Sequence, residues 1–334
     1  MITVVQYGPR FEKSHYEFAS QHWQKRKRTA AEYIYWKFRG KPGEELRSFL
    51  LATDGERVIG QLGLIPCTLA IGDRNVEAQW ACELMVDNAY RGKGVAKLLY
   101  DFAFDLKPVT LGSDPSAAAS VSMKRAGFVS VKGPVKFLFP MYLGEIAKLK
   151  GINIPLLNKI PNPFIFFLRA WGLINGKKSF RRILAADYFE CLKKNRNGHD
   201  RWIRVDHENG FADWRFGAFK DYYNGVESYS NDSGALFSVY RHPNTYILTE
   251  YSAPRLFSLV GILSAAVTEA HAGKARQIKM LADTSAGIRL LSCLGLVRFR
   301  TRTEIIFYCA DPELKELLAV RPFYYTYLDS DENI

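Results

Sequence analysis

The feature that most constrains the fold is a glycine-containing turn between an apolar segment and an amphipathic one. Ala78–Val86 (AQWACELMV) predicts a buried strand, and the stretch from Val95 onward has apolar residues at helical spacing. Between them lies Arg91-Gly92-Lys93-Gly94-Val95-Ala96. Glycine lets backbone N–H groups approach a ligand, and a helix N-terminus attracts anions. The turn therefore predicts a diphosphate cradle, with an ordinary tight turn as the structural alternative.

The segments around this turn predict an α/β domain. A strand pair turns at residues 54–56, and a helix over 114–128 begins with Asp-Pro-Ser and ends at glycine. The expected strands are Arg47–Thr53, Val58–Ile71, Ala78–Val86, Pro108–Ser113 and Val129–Leu138. Helices, antiparallel strands and then a strand–helix–strand crossover are typical of an α/β layer.

Length and composition set the outer limits. The chain has 334 residues, enough for about two domains, and 48% of them are hydrophobic. The net charge of +12 favours a polyanionic partner such as nucleic acid, a membrane surface or a phosphate-rich small molecule. The 5 cysteines form no CxxC pair and no HExxH occurs, so we expect no metal site. We also expect no membrane span and a reducing, cytoplasmic location.

The second half of the chain repeats the first weakly. Trp36-Lys37-Phe38 is echoed by Trp214-Arg215-Phe216, and the pair Asp114 and Gly127 by Asp283 and Gly295. The shared order favours duplication. The predicted domains are 1–140, carrying the cradle, and 200–334, a second α/β domain. Residues 141–199 are expected to form a basic helical connector, either solvated or facing a phosphate-bearing ligand.

RGKGVA fits the pattern Q/R-x-x-G-x-G/A of the GNAT acyltransferase superfamily, and residues 45–139 resemble that family as a whole. The resemblance implies two tandem GNAT-like domains, each a mixed central sheet flanked by helices. The second is degenerate because YSAPRLFSLVGIL stands where RGKGVA would be. The segment YIYWKFRGKP further resembles a subgroup associated with sugar and surface polysaccharide biosynthesis.

The resemblance implies a site for acyl-coenzyme A in the first half. Backbone groups of Met85 and Val86 would face the acyl group, one of them as oxyanion donor. Ser116 stands where the family usually has Asn, and Met123 where it often has a proton-donating Tyr. The residues expected to hold the coenzyme are Met85, Val86, Arg91, Gly92, Lys93, Gly94, Val95, Ala96 and Ser116.

The implied reaction is direct attack of an amine on the thioester, which needs a general base. The candidates are Asp114, with helix capping as its structural alternative, and Glu83, a carboxylate in an apolar strand, with ion pairing as its alternative. Trp36 and Cys82 are expected near the acceptor. Cys82 as a covalent nucleophile is the minor hypothesis, because buried cysteine usually acts as a small hydrophobe.

We therefore expect an acyl-coenzyme A-dependent N-acyltransferase that acts on a nucleotide-linked amino sugar for a surface glycan. The second domain would help to form the acceptor site, and a monomer is expected. An aminoacyl-tRNA-dependent transferase also suits the charge, but an intact coenzyme A motif argues against it, so no nucleic acid is expected. Acylation of a protein or a small amine, and a binding module for acyl-coenzyme A, are further alternatives.

Overall fold

In the computed structural model, the apolar segments of the first third of the chain form long strands. The structure describes residues 1–22, 30–174, 180–196, 202–207, 210–211, 213–217 and 226–329. These residues divide into two units. The first takes in residues of 1–132, 200–208 and 304–323, and the second takes in residues of 133–199, 209–303 and 324–334.

The strands and helices follow one another in an alternating α/β order. The strands are β1 (Ile2–Tyr7), β2 (Leu46–Asp54), β3 (Arg57–Ile71), β4 (Arg74–Val86), β5 (Val109–Ser113), β6 (Val129–Pro140), β7 (Arg181–Ile183), β8 (Ile203–Val205), β9 (Val226–Ser230), β10 (Leu236–His242), β11 (Thr245–Ser252), β12 (Gln277–Ala282), β13 (Val297–Cys309) and β14 (Phe323–Tyr324). The helices are α1 (Glu12–His22), α2 (Ala31–Lys37), α3 (Val95–Phe104), α4 (Ala117–Arg125), α5 (Leu143–Leu149), α6 (Phe164–Ile174), α7 (Ala185–Arg196), α8 (Leu256–Ala272), α9 (Ser285–Cys293) and α10 (Pro312–Val320).

The sheet of the first unit is antiparallel from β1 to β4 and then mixed. β4 pairs with β5 in parallel, and β5 pairs antiparallel with the Ile305–Cys309 end of β13. Helix α3 covers one face through Val95, Leu99 and Ala103, which belong to an apolar core with residues of β2 and β3. This core fixes the position at which α3 begins, just after β4.

The sheet of the second unit has the same order of strand directions. β9, β10 and β11 are antiparallel, β11 pairs with β12 in parallel, and β12 pairs antiparallel with β6. Helix α8 joins β11 to β12 as α3 joins β4 to β5. The two units therefore share one topology, which is what the weak sequence repeat predicts.

The mixed sheet with flanking helices confirms the predicted fold class. The hairpin of β2 and β3 and the strand–turn–helix of β4 and α3 form where the sequence predicts them. Gly127 and Gly295, paired in the sequence repeat, both follow a helix and both have positive φ, +97° and +79°. The sequence did not predict β1, which lies at the edge of its sheet, or β9, which lies between β10 and β7.

The unit boundaries differ from those expected from the sequence. Residues 141–199 belong to the second unit, where Ile165 and Leu168 of α6 join its core beside α8. Burial of this apolar face explains why the segment is part of a unit and does not form a solvated connector. In addition, residues 304–323 complete the first unit. The expected boundary at 199/200 lies outside the described residues.

Candidate functional site

The candidate site begins at a bulge in β4. Gly63 lies opposite Cys82, but Gln61 lies opposite Met85, so β4 carries one more residue than β3 over this stretch. Glu83 lies within the bulge and has φ of +54°, a value that non-glycine residues rarely adopt. The bulge therefore places a carboxylate-bearing residue in a strained backbone conformation in the apolar end of the strand.

The carboxylate of Glu83 is paired with a buried lysine. The Nζ of Lys37, the last residue of α2, donates a hydrogen bond to Glu83 Oε1. The two side chains are exposed to only 2% and 5%. An ammonium in direct contact compensates the cost of burying the carboxylate. The ion-pairing alternative for Glu83 is thus observed, and the pair is built into the core of the first unit.

A second buried contact holds the backbone of the bulge. Gln61 Nε2 donates to the carbonyl oxygen of Glu83 over 3.2 Å, and Gln61 Oε1 lies 2.9 Å from Nε2 of His15. Both Gln61 and His15 are fully buried. Burial lowers the pKa of His15 to about 4, so the imidazole is neutral near pH 7 and donates to the amide oxygen. His15 thereby fixes the amide orientation that lets Gln61 hold Glu83.

Strands β4 and β5 separate next to this bulge. Their parallel pairing covers Ala78 to Trp80 against Val109 to Leu111, whereas β4 continues to Val86 and β5 to Ser113. The end of β4 that contains Cys82, Met85 and Val86 therefore lies beyond the last pair with β5. Backbone N–H and C=O groups on an unpaired strand edge are available to a ligand.

The glycine turn lies between the end of β4 and α3, as predicted. Gly92 and Gly94 have φ of +78° and +81°, and a Cβ at either residue would meet no heavy atom within 4 Å. Gly94 precedes α3 without a side-chain cap, whereas Ser116, Thr284 and Asp311 cap α4, α9 and α10. The first N–H groups of a helix lack intrahelical acceptors, and the open space beside Gly92 and Gly94 leaves room for a diphosphate near the start of α3.

Side-chain contacts hold the residues just before the glycine turn, and the turn itself carries two cations. Tyr90 Oη donates to Asp54 Oδ2 over 2.8 Å, and Arg57 contacts Asp87 over 2.7 Å. Arg91 and Lys93 are exposed, and neither forms an ion pair with a carboxylate of the described residues. Two uncompensated cations beside an uncapped helix N-terminus would stabilise a bound anion.

Asp114 is held by a backbone contact. Its Oδ1 accepts from the N–H of Glu304 over 2.9 Å, and its own N–H donates to the Glu304 carbonyl oxygen over 2.8 Å. Its φ of +40° again marks strain. The capping role considered for Asp114 belongs to Ser116, whose Oγ accepts from the N–H of Ala119 over 3.3 Å.

The other residues that the sequence places at the site differ in how far they are buried. Cys82 is half-buried in β4, beside the bulge. Trp36 is 6% exposed and lies against Tyr33, so its ring presents little surface to a ligand. Met123, where an acid would be expected, is buried and packs close to Gly112. A thioether in this position donates no proton.

The second unit repeats the bulge, in β11, but not the glycine turn. Glu250 of β11 is buried and follows the last parallel pair by three residues, as Glu83 does in β4, and Arg215 is buried like Lys37. The C-terminal segment contacts this end of β11: Tyr324 Oη donates to the Tyr251 carbonyl oxygen over 3.1 Å, and the Tyr327 N–H to that of Thr249 over 3.1 Å. A cavity of about 40 Å³ is left there, too small for a coenzyme.

Sequence reasoning did not assign roles to Lys37, Gln61 and His15. Lys37 was visible only as the middle of an aromatic triplet, although an equivalent Arg215 in the repeat was a usable signal. Gln61 is a polar residue in the apolar run VIGQLGLI, which is the same signal that identified Glu83. His15 carries no local signal, because only the fold brings it to Gln61.

Metal-binding side-chain clusters and membrane-spanning helices are both absent from the described part of the chain. No three His, Cys, Asp or Glu residues within it are grouped so that they could hold a metal ion. None of its helices combines the length and apolar character needed to cross a membrane.

Comparisons with known proteins bear on the domain family and the fold. Residues 12–106 match the acetyltransferase (GNAT) domain family. Among solved structures, a GCN5-related N-acetyltransferase from Kribbella flavida is similar with a TM-score of 0.61 at 14% identity, over 93% of this chain and 71% of that one. A second GCN5-related N-acetyltransferase, from Anabaena variabilis, gives a TM-score of 0.61 at 11% identity, over 93% and 73% of the two chains.

A further similar structure is the N-myristoyltransferase of Saccharomyces cerevisiae with bound myristoyl-CoA. Its TM-score is 0.57 at 11% identity, over 92% of this chain and 82% of that one. A search of curated proteins gave no match. Residues 12–106 thus carry the match to the GNAT acetyltransferase domain, and the chain shares its fold with GNAT N-acetyltransferases.

Proposed function

We propose that this chain is an N-acyltransferase that transfers an acyl group from acyl-coenzyme A to the amine of a nucleotide-linked amino sugar. The observation that carries the proposal is the open, uncapped N-terminus of α3 beside the separated ends of β4 and β5. The N-terminus of α3 would bind the diphosphate of the coenzyme, and the separated strand ends would receive the arm that carries the thioester. The cytoplasm is the expected location, because both substrates are made of soluble, phosphate-bearing groups.

The glycine turn would hold the coenzyme. Backbone N–H groups from Gly92 to Ala96 would bind the diphosphate, with Arg91 and Lys93 adding charge. Ser116 already accepts from its own helix, so its hydroxyl hydrogen is the part left to reach a ligand. The coenzyme supplies an activated acyl group as its thioester.

The unpaired end of β4 would orient the acyl group. A backbone N–H of Met85 or Val86 would donate to the thioester oxygen, which gains negative charge as the amine attacks. The bond between the amine nitrogen and the acyl carbon forms as the carbon–sulfur bond breaks. The thiolate, from a thiol with a pKa of about 8.5, can leave without a strong acid and takes its proton from solvent. The packing of Met123 accords with this.

Glu83 is the general base in this proposal, because it lies in the bulge of β4, past the last pair with β5. One carboxylate oxygen of Glu83 contacts Lys37, as one of Asp114 contacts the Glu304 N–H. Glu83 would take the proton that the attacking amine loses, and Lys37 would keep the carboxylate oriented. Asp114 would be a positioning residue that holds the end of β5 against β13. Cys82, next to Glu83, would contact the acyl group or the acceptor.

The most specific part of the proposal is that the acceptor is a nucleotide-linked amino sugar. It is supported by the net charge of +12, since both substrates would carry diphosphates, and by the resemblance of YIYWKFRGKP to enzymes of polysaccharide biosynthesis. Acylation of a protein amine is the alternative that the similarity to an N-myristoyltransferase favours.

The test is release of free thiol from acetyl-, octanoyl- and myristoyl-coenzyme A in the presence of candidate acceptors. The acceptors are a panel of nucleotide-linked amino sugars, a set of N-terminal glycine peptides and simple diamines. Release that depends on one nucleotide-linked amino sugar supports the full proposal. Release only with peptides or diamines keeps the acyltransferase and overturns the sugar. Coenzyme A binding with no release for any acceptor favours a binding module.

Two substitutions on β4 compare the proposed base with a carboxylate outside the site. Glu83→Gln should lower thiol release by about 10²–10⁴-fold, the usual contribution of a general base. Glu77→Gln alters an exposed carboxylate on the same strand, where Glu77 pairs with Lys107, and should leave the rate unchanged.

A further inference from the structure

The second unit contains a cavity that the proposed transfer reaction does not use. Its volume is about 600 Å³, within the range of small-molecule sites. Helices α6 and α8 form its walls, together with residues of β9 and β10. The two helices approach closely because Gly172 lies against Ser264, whose Oγ donates to the Leu168 carbonyl oxygen over 2.7 Å. This contact supports the cavity with two rigid elements.

The inner surface of the cavity is mainly aromatic and apolar. Tyr229 and Phe237 lie stacked with 4.7 Å between ring centroids, and Phe180 meets Phe237 edge-on at 5.1 Å. Trp171 and Phe257 contribute two further, nearly parallel rings from α6 and α8. Such a surface binds the apolar body of a ligand.

The polar groups of the cavity divide into two classes. Asn231, Ser264, Thr268 and Glu269 are each satisfied within the protein; Glu269, for example, accepts from Arg241 over 3.0 Å. Arg169 and Arg255, in contrast, form no ion pair with any carboxylate of the described residues. Arg255 also precedes the first turn of α8, whose N-terminus carries positive charge. The cations that remain available in the cavity therefore favour an anion.

From these features we infer that the cavity binds an amphipathic carboxylate, with its apolar body against the aromatic rings and its carboxylate at Arg255 and Arg169. The inference is independent of the proposed transfer reaction. A cationic or neutral amphiphile with the same apolar body would not form the ionic contacts. The site should therefore select its ligands by the charge of their head group.

The test is calorimetric titration of the whole protein with decanoate, 3-phenylpropanoate, decanol and decylamine. We expect saturable 1:1 binding of one or both carboxylates, at least tenfold tighter than that of decanol or decylamine. Comparison of decanoate with 3-phenylpropanoate shows whether the cavity prefers a ligand with an aliphatic or an aromatic body. Equal binding of decanol, or no binding of either carboxylate, would overturn the inference.

Two kinds of variant place the binding in this cavity. The double variant Arg169→Gln, Arg255→Gln should weaken carboxylate binding by about tenfold or more, as expected for the loss of charge-assisted hydrogen bonds. Gly261→Leu should abolish it by filling the cavity, since a Cβ there meets only Phe180, at 3.9 Å. Leucine is also a better helix former than glycine, so the fold should be retained.

The matched control is Arg289→Gln, which removes an exposed cation from α9 of the same unit. It should bind carboxylates as the unmodified protein does. Thermal unfolding of all variants establishes that each is folded. If folded Gly261→Leu still binds decanoate with unchanged affinity, the ligand lies elsewhere and the inference is wrong.

Discussion

Lys37 and Glu83 are 46 positions apart in the chain, yet their side chains form a buried ion pair at the bulge of β4. The pair joins the end of α2 to the part of β4 that lies beyond its pairing with β5. Because a buried carboxylate is costly without a partner, Lys37 is part of the reason that Glu83 can occupy this position. Several tests follow from this arrangement.

Removing one member of the pair should destabilise the protein. Lys37→Met leaves a buried carboxylate without its cation, and we expect a loss of about 3–5 kcal/mol in the free energy of unfolding, measured with urea. The double variant Lys37→Met, Glu83→Gln should recover much of this stability. It should not recover thiol release, since no base remains. Recovery of activity in the double variant would contradict the role proposed for Glu83.

The glycines of the turn should matter for coenzyme binding. Gly92→Ala and Gly94→Ala place a Cβ at positive φ, which costs about 1 kcal/mol, and shift the N–H groups that would face the diphosphate. We expect coenzyme A affinity to fall about tenfold or more in calorimetry. Gly151→Ala has the same strain, at φ of +76°, away from the turn, and should bind normally.

The stoichiometry of coenzyme A binding should be one per chain. The second unit lacks the glycine turn, and residues near Tyr324 occupy the corresponding end of β11. The same calorimetric titration measures this ratio. Two equivalent sites would show that the C-terminal segment leaves β11 when the ligand binds.

His15 should make stability depend on pH. Its pKa is about 4 in the folded protein and 6.5 when exposed, so the unfolded state binds more protons between these values. The contribution of His15 to the free energy of unfolding is complete above pH 6.5. It falls by about 3 kcal/mol as the pH drops toward 4. His15→Gln should flatten the pH dependence of the unfolding midpoint. Leu99→Ala, a core variant of the same unit, should be less stable at every pH with the slope retained.

Asp114 can be tested as a positioning residue with two substitutions. Asp114→Asn keeps an oxygen to accept from the Glu304 N–H, whereas Asp114→Ala leaves that N–H without its acceptor. If Asp114 positions β13, the Asn variant should keep thiol release within about tenfold and the Ala variant should lose more. An Asn variant as slow as Glu83→Gln would instead identify Asp114 as the base.

The sequence by itself determined the local elements and their order. The apolar pattern of β4, the glycine turn and the helical spacing of α3 depend on neighbouring residues, so they were readable without the fold. The same holds for Glu83, whose residue type is unusual in its local context. The weak repeat also predicted a shared topology, because strand order follows chain order.

Only the tertiary structure decided which distant groups meet. Lys37, Gln61 and His15 converge on Glu83 through contacts across 46 and 22 positions, and no local pattern encodes such contacts. The contact between Glu304 and Asp114 is likewise set by where β5 and β13 pair. Side-chain burial and strand pairing are properties of the packed chain, and they bring the carboxylate of Glu83 to Lys37 and that of Asp114 to the Glu304 N–H.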